Sequence, residues 1–111
     1  MEADKISKVI VMLEAMRKRP LMYIGVRDVQ AAECFLAGLG MGYHIFSGGD
    51  LPDFEEVKKR VISERGWEVT NTPPSKEMRE RGMDDEVIVD EVIAMEIEVW
   101  RRMKHYCGAD A

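Results

Sequence analysis

The 111-residue sequence predicts an all-α fold, a compact bundle of about four helices with one long C-terminal helix. Three observations predict it. Apolar residues recur at helical spacing in four separate segments. Proline and glycine punctuate the gaps between those segments. The last segment keeps its helical period far beyond the length of a strand. A chain of this size makes one domain, residues 1–111, and 46% hydrophobic residues can supply its core.

The first helix is expected from about Ala3 to Lys18. Ile6, Val9, Ile10, Leu13 and Met16 share one face, which Val11 and Met12 widen. Arg17, Lys18 and Arg19 stand at the negative end of the helix dipole, and Pro20 stops the helix. Leu21 to Arg27 is an apolar connector, too apolar to lie in water and so expected to be packed down, with Gly25 turning the chain.

Asp28 is the expected N-cap of the second helix, which presents Val29, Ala32, Phe35, Leu36 and Leu39 on one face and continues towards Tyr43, Ile45 and Phe46. Cys34 reads as a small core residue in this segment. Gly38, Gly40 and Gly42 leave two readings open: a neighbouring helix approaches closely, or the helix breaks near Gly40. Ser47 to Pro52 is a turn. Asp53 then caps a third helix, with Glu56 at the capping-box position and Phe54, Val57, Val61 and Ile62 buried. Glu55 and Lys59 are spaced to pair, and Gly66 suits the residue beyond the helix end.

Trp67 to Arg81 is the longest loop. Its start could be extended, Pro73 and Pro74 exclude a helix interior, and Ser75 to Arg81 could add one helical turn before Gly82. The last helix is expected from Asp84 to Tyr106, ~34 Å at 1.5 Å per residue. Acidic residues open it, basic residues end it, and Gly108 closes it. Val87 to Val89 also fits a short strand, but Val92, Ile93, Glu96, Trp100 and Met103 continue the helical spacing.

Net charge is -5, unevenly placed. Residues 1–27 carry +3 (6 basic, 3 acidic), residues 28–72 carry -4 (4 and 8), and residues 73–111 carry -4 (6 and 10). The acidic balance argues against a general phosphate-backbone binder. Two cysteines 73 positions apart and two histidines make no metal-ligand spacing, and no cofactor is expected. With no secretory signal and no apolar run of spanning length, a cytoplasmic location and no membrane contact are the expectation. His44, His105 and Cys107 lack a nucleophile–base–orienter arrangement, so no catalytic residue is expected. Asp90, Glu91, Glu96 and Glu98 read as a solvated or partner-facing acidic surface.

The most specific string is Leu13 to Gly25, LEAMRKRPLMYIG. It resembles the N-terminal segment of the DNA gyrase B subunit family, differing at Met16 and at Leu21, where that family has glycine. The resemblance covers about an eighth of the chain. The family's Asp-Asn pair, DxGxG motif and lid glycines have no counterpart, so no ATP-binding or catalytic residue is carried over. The order Arg19-Pro20-Leu21-Met22-Tyr23-Ile24-Gly25, then FLAGLGMGYHIF and Gly66-Trp67, is also similar to small bacterial proteins sharing an RPxMYxG segment. That resemblance implies an immunity-like or accessory partner and no activity.

Together these readings give a small non-catalytic protein-binding module, such as an immunity- or antitoxin-type inhibitor or an accessory subunit. The expected partner is another protein encoded nearby, or a second copy through surplus apolar surface on the last helix. Arg17, Lys18, Arg19 and Tyr23 form a basic-aromatic edge, and Trp67, Trp100 and Met103 are the other expected anchors. The alternative is nucleotide or nucleic-acid binding through the Arg17–Arg19 corner.

Overall fold

The computed structural model describes residues 2–25, 28–46 and 54–109. Among them are six helices and no strand: α1 Glu2–Lys18, α2 Leu21–Ile24, α3 Val29–Phe46, α4 Phe54–Glu64, α5 Ser75–Glu80 and α6 Asp85–Ala109. Four are the long helices the sequence predicts. The other two are short, α2 of four residues in the apolar connector and α5 of six residues in the long loop.

The last helix is the axis of the molecule. α1, α3, α4 and α5 all pack against α6. The cause is in its sequence: every residue from Val92 to Ile97 is buried, so this stretch has no solvent face. A helix that is apolar nearly all round must be surrounded. Ile6, Leu13 and Met16 of α1, Leu36 of α3, Val61 of α4 and Met78 of α5 close over Ile88, Ile93, Trp100 and Met103. The strand alternative at Val87 to Val89 is replaced by helix, because Ile88 and Val89 continue the buried stripe. At 25 residues α6 is ~38 Å long and runs through Gly108, which therefore does not end it.

Local chemistry sets the other boundaries. The Asp28 side chain accepts the Gln30 N–H at 2.8 Å, a helix N-cap at the start of α3. Gly66 has φ +90°, and its N–H and that of Trp67 reach back to the Ser63 and Ile62 carbonyls. This glycine-terminated double bond ends α4 and folds Trp67 back over the bundle. Gly25, at φ 76°, ends α2 in the same left-handed region.

α3 passes through its three glycines unbroken. A Cβ on Gly40 would meet the Phe54 ring at 3.3 Å, so close approach, here by an aromatic ring of α4, explains that glycine. Gly38 and Gly42 have open space above them. The expected Ser47–Pro52 turn and Asp53 cap lie outside the described residues, as does the Cys107 side chain.

Candidate functional site

The RPLMYIG corner is a helical turn bracketed by Pro20 and Gly25. Tyr23 and Ile24 pack against the core, as expected of an apolar connector. Leu21 and Met22 instead face solvent, Met22 with 73% of its surface accessible. Beside the corner, Arg17 makes a two-pronged bond to Asp90 at 2.9 and 3.2 Å, which holds its guanidinium above the usual pKa. A hollow of about 220 Å³ there is lined by Lys18 and Pro20 as well as Glu86 and Asp90. The basic edge is thus interleaved with carboxylates of α6. Lys18 and Arg19 are exposed.

Of the α6 carboxylates read as a solvated or partner-facing surface, Asp90 and Glu98 stay solvent-accessible while pairing with arginines of this chain, Glu91 is half-buried, and Glu96 is buried. Asp90 takes Arg17. Glu91 takes both prongs of Arg65, at 2.9 and 2.7 Å, and the Trp67 indole N–H at 3.2 Å. Those bonds, Arg65 first, hold the Glu91 carboxyl below its ordinary pKa against the opposing effect of burial. Glu98 pairs with Arg102, which also reaches Glu64, and Arg101 reaches Glu14 at 2.9 Å. Trp67 is half-buried, with the Arg81 guanidinium 4.7 Å from its ring centre. One side chain, Trp67, therefore links the end of α4 to α5 and α6.

Trp100 and Met103, expected as partner anchors, lie in the core. Both are wholly inaccessible. The Tyr43 ring meets Trp100 edge-on at 4.7 Å, and Phe54 lies 5.2 Å away. They are core residues because α6 is central, and a side chain without accessible surface anchors no partner. Of the surplus apolar surface expected on α6, Val87 at its start stays exposed, and the stretches from Ile88 to Val89 and from Val92 to Ile97 are buried.

That surplus sits on α3. Its inner face buries Val29, Ala32 and Leu36, and nothing beyond Leu36 is fully buried. Its outer face carries Cys34, Gly38, Met41 and Ile45 at i, i+4, i+7 and i+11, a helical stripe. Met41 is 66%, Ile45 65% and Phe46 86% accessible. Cys34 is exposed too, not a core residue, because its position turns it away from α6. No Asp, Glu, Lys or Arg occurs between Cys34 and Phe46. That uncharged run was visible in the sequence, but periodicity alone does not say which of two apolar helices is central.

His44 and His105 are both exposed, His105 beside the Tyr106 ring at 6.2 Å. Among the described residues no three His, Cys, Asp or Glu side chains converge to hold a metal, and no helix is long and apolar enough to cross a membrane. The arrangement of the α3 face is suited to contact with another apolar surface. No protein-family model matches the chain, and neither a curated protein nor a solved structure is similar to it.

Proposed function

We propose that the chain is a non-catalytic protein-binding module and that the outer face of α3 is its binding surface. The observation that carries this reading is the accessible, uncharged stripe from Cys34 through Met41 and Ile45 to Phe46. An exposed contiguous apolar face on a charged protein marks an interaction surface. A Cβ at Gly38 or Gly42 would meet nothing within 4 Å, so a partner helix can come close to the α3 backbone there. A second copy is the occupant the chain itself supplies. An uncharged stripe meets its own copy about a twofold axis without like-charge repulsion, whereas most other faces belong to a molecule of net charge -5. An inhibitor or accessory subunit would use the same face to hold its target.

The nucleotide or nucleic-acid alternative gains less support, since Arg17 is engaged by Asp90 within a hollow shared with Glu86. Sedimentation of wild-type chain against the Met41→Glu/Ile45→Glu double variant tests the proposal. The wild type is expected to associate as concentration rises, while the double variant stays monomeric with unchanged circular dichroism. Association undiminished in the double variant removes α3 as the surface. A wild type that stays monomeric into the millimolar range removes the second copy as its occupant.

A further inference from the structure

α3 also leaves an opening beside α4, at the edge of its outer stripe, with which it shares Cys34. Both helices rest on α6, and between them lies a cleft of about 500 Å³. That is within the range of small-molecule sites, ~300–1,000 Å³. Leu36, Val61, Val92, Met95 and Val99 give it apolar walls, and the loop from Val69 to Pro74 bounds one side. Ser75 fastens the end of that loop to α3 by donating its hydroxyl to Glu33 at 2.8 Å.

The cleft contains one deep polar group. Glu96 lines it from α6 and is 3% accessible. One carboxyl oxygen accepts the Trp100 indole N–H at 3.1 Å, and that indole has no second proton to give. Burial pushes the carboxyl above its usual pKa, opposed first by the Lys58 ammonium and then by the Trp100 bond. A carboxyl in apolar surroundings with one neutral donor is under-compensated as an anion. Of the charged groups lining the cleft, Glu33 comes from α3, Glu55, Lys58 and Lys59 from α4, and Glu96 from α6.

We propose that this cleft binds a small organic ammonium, an apolar body of alkyl or aryl type carrying one protonated amine that bonds to Glu96. The apolar body packs against the apolar lining of the cleft. The ammonium supplies further charge-assisted donors to a carboxyl that receives one indole N–H from Trp100.

Three probes with the same apolar body and different heads test it: 2-phenylethylammonium, neutral 2-phenylethanol and anionic 3-phenylpropanoate. Each is titrated into the folded chain while the Trp100 indole N–H is followed by NMR, with Trp67→Phe used to assign it. The ammonium is expected to bind about tenfold or more tightly than the alcohol, the scale of one charge-assisted bond. The propanoate should bind most weakly. Glu96→Gln should reduce the ammonium to the affinity of the alcohol. Ala37→Trp, built on an exposed wall of the cleft with Glu96 in place, should abolish binding of all three. The ammonium's affinity should also rise as pH is raised through the Glu96 titration. Equal affinity for the ammonium and the alcohol, preference for the propanoate, unchanged selectivity in Glu96→Gln, or no binding by any probe up to its solubility limit would each overturn the proposal.

Discussion

α3 and α6 are both long and both rich in apolar residues, yet the protein uses them in opposite ways. α6 is covered on every side between Val92 and Ile97, and its carboxylates at Asp90, Glu91 and Glu98 pair with arginines of this chain. α3 is covered only on the side of Val29, Ala32 and Leu36, and its far half shows Met41, Ile45 and Phe46 to solvent. The lesson is that apolar content does not say where a helix lies. Charge does more: α6 carries charges at spacings that meet arginines on α1, the α4 end and its own next turn, whereas α3 has none to place after Glu33.

The contrast breaks most visibly at the largest side chains. Trp100→Ala should lower unfolding free energy by about 3–5 kcal/mol, because a wholly buried indole leaves a cavity between α3, α4 and α6. Phe46→Ala, at the exposed end of α3, should change it by less than about 0.5 kcal/mol. Urea unfolding of the monomer measures both. Comparable losses would show that the end of α3 is part of the core.

Two carboxyls on α6 sharpen the contrast within one helix, since they should give pH dependence of opposite sign. Glu91 titrates below its ordinary value, so its contribution is present above the unfolded carboxylate range and is lost as pH falls through the lowered folded value. Glu96 titrates above its ordinary value. Its contribution is complete below the unfolded range, about 4.3, and is lost as pH rises through the folded value. Glu96→Gln keeps an acceptor for Trp100 and should remove that loss, raising relative stability towards neutral and higher pH. Glu91→Gln should cost about 1 kcal/mol at neutral pH, a modest figure because Arg65 is partly exposed, and should flatten the acid limb. Denaturant midpoints measured across pH 3 to 9 check both signs.

The smallest expected effects distinguish the three glycines of α3. Gly42→Ala and Gly38→Ala should each stabilise the monomer by up to about 1 kcal/mol, since helix propensity improves and the space is open. Gly40→Ala should gain less, because its methyl group meets the Phe54 ring at 3.3 Å. Thermal unfolding of the three variants at one low concentration ranks them.

Much of this architecture is legible in the residues. The four long helices, the Asp28 cap, the stop at Pro20 and the helical turn after Ser75 follow from periodicity and capping chemistry. Local rules were insufficient where a choice depends on distant partners. The close approach at Gly40 comes from Phe54 of α4, and whether Cys34 is core depends on how α3 rotates against α6. Trp100 and Met103 have the composition of interface anchors and become core because α6 is enclosed. For the cleft, Glu96 stands on the apolar stripe of the sequence beside Trp100, but the volume around it exists only because α3 and α4 rest apart on α6.

By itself, the sequence determined that this chain is all helical, where most helices start and stop, and which residues have the spacing to be buried. Hydrogen-bond periodicity and capping act over a few residues and need no tertiary partner. Only the tertiary structure decided that α6 is the centre and α3 the open face, that Asp90, Glu91 and Glu98 of α6 pair with arginines of this chain, and that a cleft surrounds Glu96. Those outcomes depend on which surfaces meet, and burial and pairing act between residues far apart in the chain.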